Sequence, residues 1–195
     1  MRSRPILFSA EMVKAILDGR KTQTRRIVKL TDSGRVKAPG SSLNWHLDDP
    51  NATLACPYGQ PGDQLWVKET WRTTHHYDNQ SPRQLMAVPI RYECDGAEKD
   101  FIDWWDSDQP GKVRQSIYMR KWMSRISLEI TGIRIQRLQK INEKDAWAEG
   151  VWPNPKPQTP ISGIIRFESL WCSIHGRQSW DANPFVWAIT FRRIP

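Results

Sequence analysis

The residues Arg20-Lys21-Thr22-Gln23-Thr24-Arg25-Arg26, directly after Gly19, set one amine, two hydroxyls and three guanidinium groups side by side. A lysine three positions from a threonine can act as a general base beside a nucleophile. The flanking arginines can hold a phosphate or a planar base. Like charge from Arg20, Arg25 and Arg26 disfavours the ammonium form of Lys21 and so favours a neutral amine. On an ideal strand Lys21 and Thr24 would face opposite sides, so they converge only if the chain turns after Gly19. The same composition also suits a basic loop that only touches phosphates.

Two carboxylates invite the same scrutiny. Glu149 stands one residue before Gly150, where a helix should end, and a carboxylate there opposes the helix dipole. It must be exposed or paired with a cation. Glu69 lies between Trp66 and Trp71, after an apolar stretch, and suits either a site or a structural ion pair with an arginine. Residues 116–125 interleave Arg120, Lys121 and Arg125 with Tyr118 and Trp122, the mixture a nucleic-acid strand would meet as phosphate contacts and a stacking ring. Metal ligation has little behind it. Cys172 and His175 could share a helix face, but one pair falls short of a tetrahedral set, and adjacent His75 and His76 diverge. No metal or cofactor is expected. Walker, dinucleotide and Gly-x-Ser-x-Gly fingerprints are all missing from the sequence.

The elements that must position these groups can be read in part. Ser9 is a natural N-cap, Met12, Val13, Ile16 and Leu17 form an apolar stripe, and Gly19 suits the residue just past a helix. Residues 31–60 read as a long loop. Gly62-Asp63 marks a turn before a strand over Gln64–Lys68, and a second strand is expected over 87–92, with Pro89 pointing to an edge. Residues 94–115 look like an acidic excursion from the core. Alternating Ile126, Leu128 and Ile130, then Ile133 and Ile135, predict one long strand bent at Thr131-Gly132. Asn142 should cap a short helix ended by Gly150. Phe167, Leu170, Trp171 and Ile174 predict another helix stopping near Gly176. The last strand, through Phe185, Trp187, Ile189 and Phe191, is apolar on both faces and should be covered on both. Short strands and helices without βαβ periodicity favour a small barrel dressed with helices.

The chain has 195 residues and a net charge of +8, a length that fits one domain with a real core. The charge is segregated. Residues 1–30 carry eight basic residues against two acidic, and residues 111–145 nine against three, whereas residues 41–110 carry five against twelve. Two basic segments beside an acidic one suggest a positive face for a polyanion; a plain solvated surface is the other reading. Most of the eleven tryptophans should fill the core. Three widely spaced cysteines argue against a disulfide framework. With no signal peptide and no membrane-length apolar run, a cytoplasmic protein, monomeric by default, is expected.

Taken in order, the helix followed by Gly19-Arg20-Lys21-Thr22-x-Thr24-x-Arg26, the Gly62-Asp63 turn and the Glu149-Gly150 helix end resemble the ASCH domain. That domain is a PUA-like β-barrel superfamily related to RNA-binding modules. The phrases Cys56-Pro57-Tyr58-Gly59-Gln60-Pro61-Gly62-Asp63, Trp122-Met123-Ser124-Arg125 and Trp180-Asp181-Ala182-Asn183-Pro184 are similar to those of a long ASCH subgroup common in phages and prophages. The resemblance implies an α+β fold: one PUA-like barrel over residues 1–195, flanked by short helices, with insertions at about 31–60 and 73–125. It also implies an activity, because small bacterial ASCH proteins include N4-acetylcytidine amidohydrolases. Their lysine base, threonine nucleophile and glutamate proton donor match Lys21, Thr24 and Glu149. Arg26 would then stabilise an oxyanion, and Glu69, Trp66 and Trp71 would line the base pocket. This chain departs from those enzymes in being about twice as long, and Arg120 replaces a proline expected in the long subgroup. A non-catalytic module would instead grip RNA or DNA through Arg20, Arg25, Arg26, Arg120, Lys121, Trp122 and Arg125. A ribonuclease using the same lysine and glutamate is a third reading.

Overall fold

The computed structural model describes residues 1–99, 109–151 and 162–195. In chain order its elements are β1 (Ser3–Leu7), α1 (Ala10–Leu17), β2 (Gln23–Ile27), β3 (Val36–Lys37), β4 (Asn44–Trp45), β5 (Gln64–Lys68), β6 (Trp71–Arg72), β7 (Ile90–Tyr92), β8 (Glu98–Lys99), β9 (Ser127–Arg137), α2 (Glu143–Ala148), α3 (Gly163–His175), α4 (Arg177–Asp181) and β10 (Phe185–Ile194). This is an α+β fold around one mixed sheet of five strands, ordered β1-β5-β9-β10-β2. The β1–β5 pair is parallel and the remaining pairs are antiparallel. Among the described residues β1 and β2 are free edges, so strand pairing closes no barrel.

The spine of the sheet is the long β9–β10 pair. Its register slips at Thr131: Thr190 pairs with Gly132 and the next residue, Phe191, with Ile130. That is the bulge which the Thr131-Gly132 dipeptide predicts. β10 is covered on both faces, as its double apolar pattern requires. Trp187, Ile189 and Phe191 join Ile6, Phe8, Val13, Ile16, Leu65, Val67 and Leu128 in the largest apolar cluster. Val186 belongs to a second cluster, with Leu138, Ala146, Phe167, Trp171 and Trp180 from α2, α3, α4 and their approaches.

Three expectations are corrected. Residues 31–60 are not plain loop: β3 and β4 pair, and a 3-10 turn over Pro50–Ala55 is capped by Asp49, whose carboxylate accepts from Asn51 N–H at 2.7 Å. The strand expected over 87–92 starts only at Ile90, because Ala87 has φ +49° and Pro89 has no N–H to donate. It is also central in a small sheet ordered β6-β7-β8, not an edge. This sheet carries its own core of Trp71, Leu85, Val88, Ile90, Tyr92, Met119 and Met123, so the described part of 73–125 is an organised lobe. Much of the acidic excursion expected over 94–115 lies outside the described residues. No helix among the described residues is long and apolar enough to cross a membrane.

Candidate functional site

Two helix ends bring the site together. Ser9 caps α1, its hydroxyl accepting from Met12 N–H at 3.4 Å. Gly19, at φ +71°, turns the chain so that Arg20 and Lys21 N–H both donate to Ala15 O, at 2.8 and 2.9 Å. Asn142 caps α2 by accepting from Asp145 N–H at 2.8 Å. Glu149 closes that helix and Gly150, at φ +85°, leaves it. The two exits then meet as an isolated β-bridge between Lys21 and Glu149.

At this junction the Lys21 ammonium is fully enclosed. It donates to Gln23 O at 2.9 Å, to Glu149 O at 2.8 Å and to Glu149 Oε2 at 2.9 Å. All three of its hydrogens therefore have acceptors. Burial lowers the pKa of Lys21 from its ordinary value; the Glu149 carboxylate opposes this, while Arg26 and Arg25 add to it. The unfavourable place of Glu149 at a helix C-terminus is resolved by two buried cations, because Arg25 Nη1 donates to Oε1 at 2.9 Å.

Arg25 extends the network. The same nitrogen donates to Gln23 Oε1 at 2.7 Å, and Nη2 donates to Asp145 Oδ2 at 3.1 Å. Gln23 Nε2 donates to Asp145 Oδ1 at 3.2 Å and to Thr190 Oγ1 at 3.3 Å. Arg134 also pairs with Asp145. Burial is the largest single influence on Asp145 and pushes its pKa up, but its partners together, Arg134 foremost, hold it below the ordinary value. Arg25 is thus a buried structural clamp, not a hand for nucleic acid. Gln23 and Asp145 escape notice in the sequence. Their signal is periodicity: Lys21, Gln23 and Arg25 alternate along one strand face, and Asp145 and Glu149 stand four apart on a helix.

Beside the network runs a cleft lined by Thr24, Arg25 and Arg26 from β2 and by Glu149. Met12 of α1 and Phe167, Trp171 and His175 of α3 complete its apolar and aromatic walls. Thr24 is buried, and its hydroxyl has no hydrogen-bond partner among the described residues. No hydrogen bond joins it to Lys21, which lies behind Glu149 and does not line the cleft. Arg26 donates to Leu7 O at 2.7 Å and lies over the Phe8 ring at 5.3 Å.

The remaining candidates lie elsewhere. Glu69 is buried in a bidentate pair with Arg125, Nε to Oε1 at 3.0 Å and Nη2 to Oε2 at 2.8 Å. The Cys94 thiol donates to Glu69 at 3.4 Å, and its pKa is pushed up to about 12 by burial and by that carboxylate. Arg125 also binds Asp95 and lies 4.0 Å from the Tyr92 ring centroid. Glu69 and Arg125 are therefore a structural pair, not pocket wall or phosphate contact. Trp71 is wholly buried in the β6–β8 lobe and Trp66 packs beside Lys68, so neither lines the cleft. Arg20 pairs with Asp18. Arg120 and Lys121 are exposed and Trp122 is half-buried. No cluster of three or more metal-ligating side chains occurs among the described residues.

Gly150 is the most exacting backbone position here. A Cβ there would stand 2.9 Å from Lys21 Cβ and 3.0 Å from Ala15 Cβ, at a φ that L residues rarely adopt. Gly150→Ala should cost about 1–3 kcal/mol, read as a lower denaturant midpoint; an unchanged midpoint would show that the junction yields freely. Comparison with protein-family models, with curated proteins and with solved structures yields no match.

Proposed function

We propose that this protein is an ASCH-type hydrolase. It cleaves the amide of an acylated nucleobase, of the N4-acetylcytidine kind, in the cleft between β2, the end of α2 and α3. The observation that carries the reading is that Thr24, buried with an unpartnered hydroxyl, lines the same cleft as Glu149, whose carboxylate binds Lys21. These are the three residues that the ASCH resemblance matches to nucleophile, acid and base. A PUA-like barrel belongs to the same reading. Its support is the Arg26 side chain, which reaches from edge strand β2 to Leu7 O on edge strand β1.

The chemistry begins from the Lys21–Glu149 pair. In its ionic form the amine has no lone pair to offer. Transfer of one proton to Glu149 gives a neutral acid and a neutral amine, and burial favours the neutral form of Lys21. In this reading the Lys21 amine, which has no contact with Thr24 in the resting chain, closes on it and takes its proton as the Thr24 oxygen attacks the acyl carbon. Arg26 faces the developing oxyanion. Glu149 protonates the departing nucleobase nitrogen, which leaves a Thr24 acyl ester and restores the ionic pair.

The active pair therefore carries one proton shared by two groups. Raising the pH through the lowered Lys21 pKa removes that proton and with it the acid. So kcat/KM should fall on the alkaline side with a midpoint below the ordinary lysine value of 10.5. Incubation with N4-acetylcytidine and related acylated nucleosides, followed by mass spectrometry, tests the activity; no deacylated product from any of them would sink it. Exposed Arg120 and Lys121 favour a second reading, in which the chain grips RNA without chemistry. Salt-sensitive RNA binding without turnover would select that reading.

A further inference from the structure

His175 is the group in the cleft that the proposed reaction leaves unused. It is the last residue of α3, and its ring rests on Trp171, one turn back, with centroids 4.4 Å apart. It lines the same cleft as Thr24, and among the described residues neither ring nitrogen has a hydrogen-bond partner. From β2 it faces Arg25 and Arg26, from the end of α2 Glu149, and from α1 the apolar Met12. Cys172 lies one turn back on its own helix.

Amide cleavage as proposed stops at a Thr24 ester, and hydrolysing that ester needs a base for water. The Lys21–Glu149 pair is ionic again at that point and could act only by repeating its internal proton transfer, whereas His175 already lines the cleft. The ammonium is saturated by three acceptors, and each carboxylate oxygen is held by a cation, Oε1 by Arg25 and Oε2 by Lys21. A free imidazole across the cleft meets the need without disturbing the network.

We propose that His175 is the catalytic base of the second step, taking a proton from the water that hydrolyses the Thr24 acyl ester. The water oxygen forms a bond to the ester carbonyl carbon as its proton passes to the imidazole. Collapse of the tetrahedral adduct breaks the bond to Thr24 Oγ, which recovers the proton from the imidazolium, and the carboxylic acid leaves. His175 is exposed at the end of α3, and partial desolvation of its ring, then Arg26, lower its pKa from the ordinary 6.5. This role rests on the amidohydrolase reading.

The test uses the full chain with His175→Gln, and with His175→Phe, which keeps a ring on Trp171 and removes the nitrogens. With N4-acetylcytidine both variants should release one equivalent of cytidine in a first-turnover burst. They should then slow on the order of 100-fold while an acetyl group accumulates on Thr24, found by peptide mass spectrometry. The wild-type rate should fall as acid protonates His175, with a midpoint below 6.5, and that limb should vanish from the residual rate of both variants. Wild-type turnover without adduct or slowing in either variant overturns the role while the amidohydrolase reading stands. So does loss of the burst itself. Absence of cytidine release from the wild type overturns both.

Discussion

Lys21→Met is expected to lower the unfolding free energy by about 3–5 kcal/mol, the usual cost of removing one partner from a buried ion pair. The Lys21 side chain is fully enclosed, so solvent does not screen the loss. Three acceptors, Gln23 O, Glu149 O and Glu149 Oε2, lose their donor together. Arg25 still holds the other carboxylate oxygen, so Glu149 keeps one buried cation. Domains of this size are stable by only about 5–15 kcal/mol, and the variant should lose a large part of that margin. Urea unfolding of Lys21→Met, Glu149→Gln and the double variant should give a coupling energy of about 0.5–3 kcal/mol. A single-variant loss below about 1 kcal/mol would show that the pair is not a keystone. The result also governs how activity data are read. Lost turnover in a Lys21 variant is expected whether or not the amine touches a proton in the reaction, so that variant alone does not establish a base.

Much of the fold was legible because the local and global signals agree. Ser9 and Gly19 bound α1, Asn142 and Gly150 bound α2, and the alternation through Trp187 and Phe191 gives the doubly covered β10. The lobe formed by β6, β7 and β8 was not legible. Its core joins Trp71 to Tyr92 and Met123, residues far apart in sequence whose pairing no local period announces. Pro89 misled for a related reason: it marks where the backbone leaves the sheet, not the place of β7 within it. Within the site, Glu149 reads from the sequence as a carboxylate that must be exposed or paired with a cation, and the bridge between the two helix exits brings Lys21 to it. Among its basic neighbours Arg25 reads as a group to hold a phosphate or a base. Only the parity it shares with Lys21 and Gln23, set against the helical spacing of Asp145 and Glu149, marks it as buried. Glu69 shows the reverse error: its tryptophan neighbours suggest a pocket, but Arg125 claims both its oxygens.

Thr24→Val separates chemistry from folding more cleanly than any change at Lys21. Valine matches threonine in shape and is at least as comfortable in a strand, and the Thr24 backbone stays paired with Ile189. Deleting a hydroxyl that no described residue bonds leaves no orphaned partner, so stability should hold within about 1 kcal/mol. Catalysis should not survive. If the Thr24 oxygen forms the acyl bond, its removal should lower kcat/KM by on the order of 1,000-fold or more, while Thr24→Ser retains measurable turnover. The acetyl adduct expected of the His175 variants should also vanish when Thr24→Val is added to either of them. A folded Thr24→Val protein that still releases cytidine would reassign the attack to water directly. In that case the ester and the second step fall together, and Lys21, Glu149 and His175 would have to serve a single displacement. An unfolded Thr24→Val protein would mean that the hydroxyl supports the fold, and its place on the cleft would no longer argue for a nucleophile.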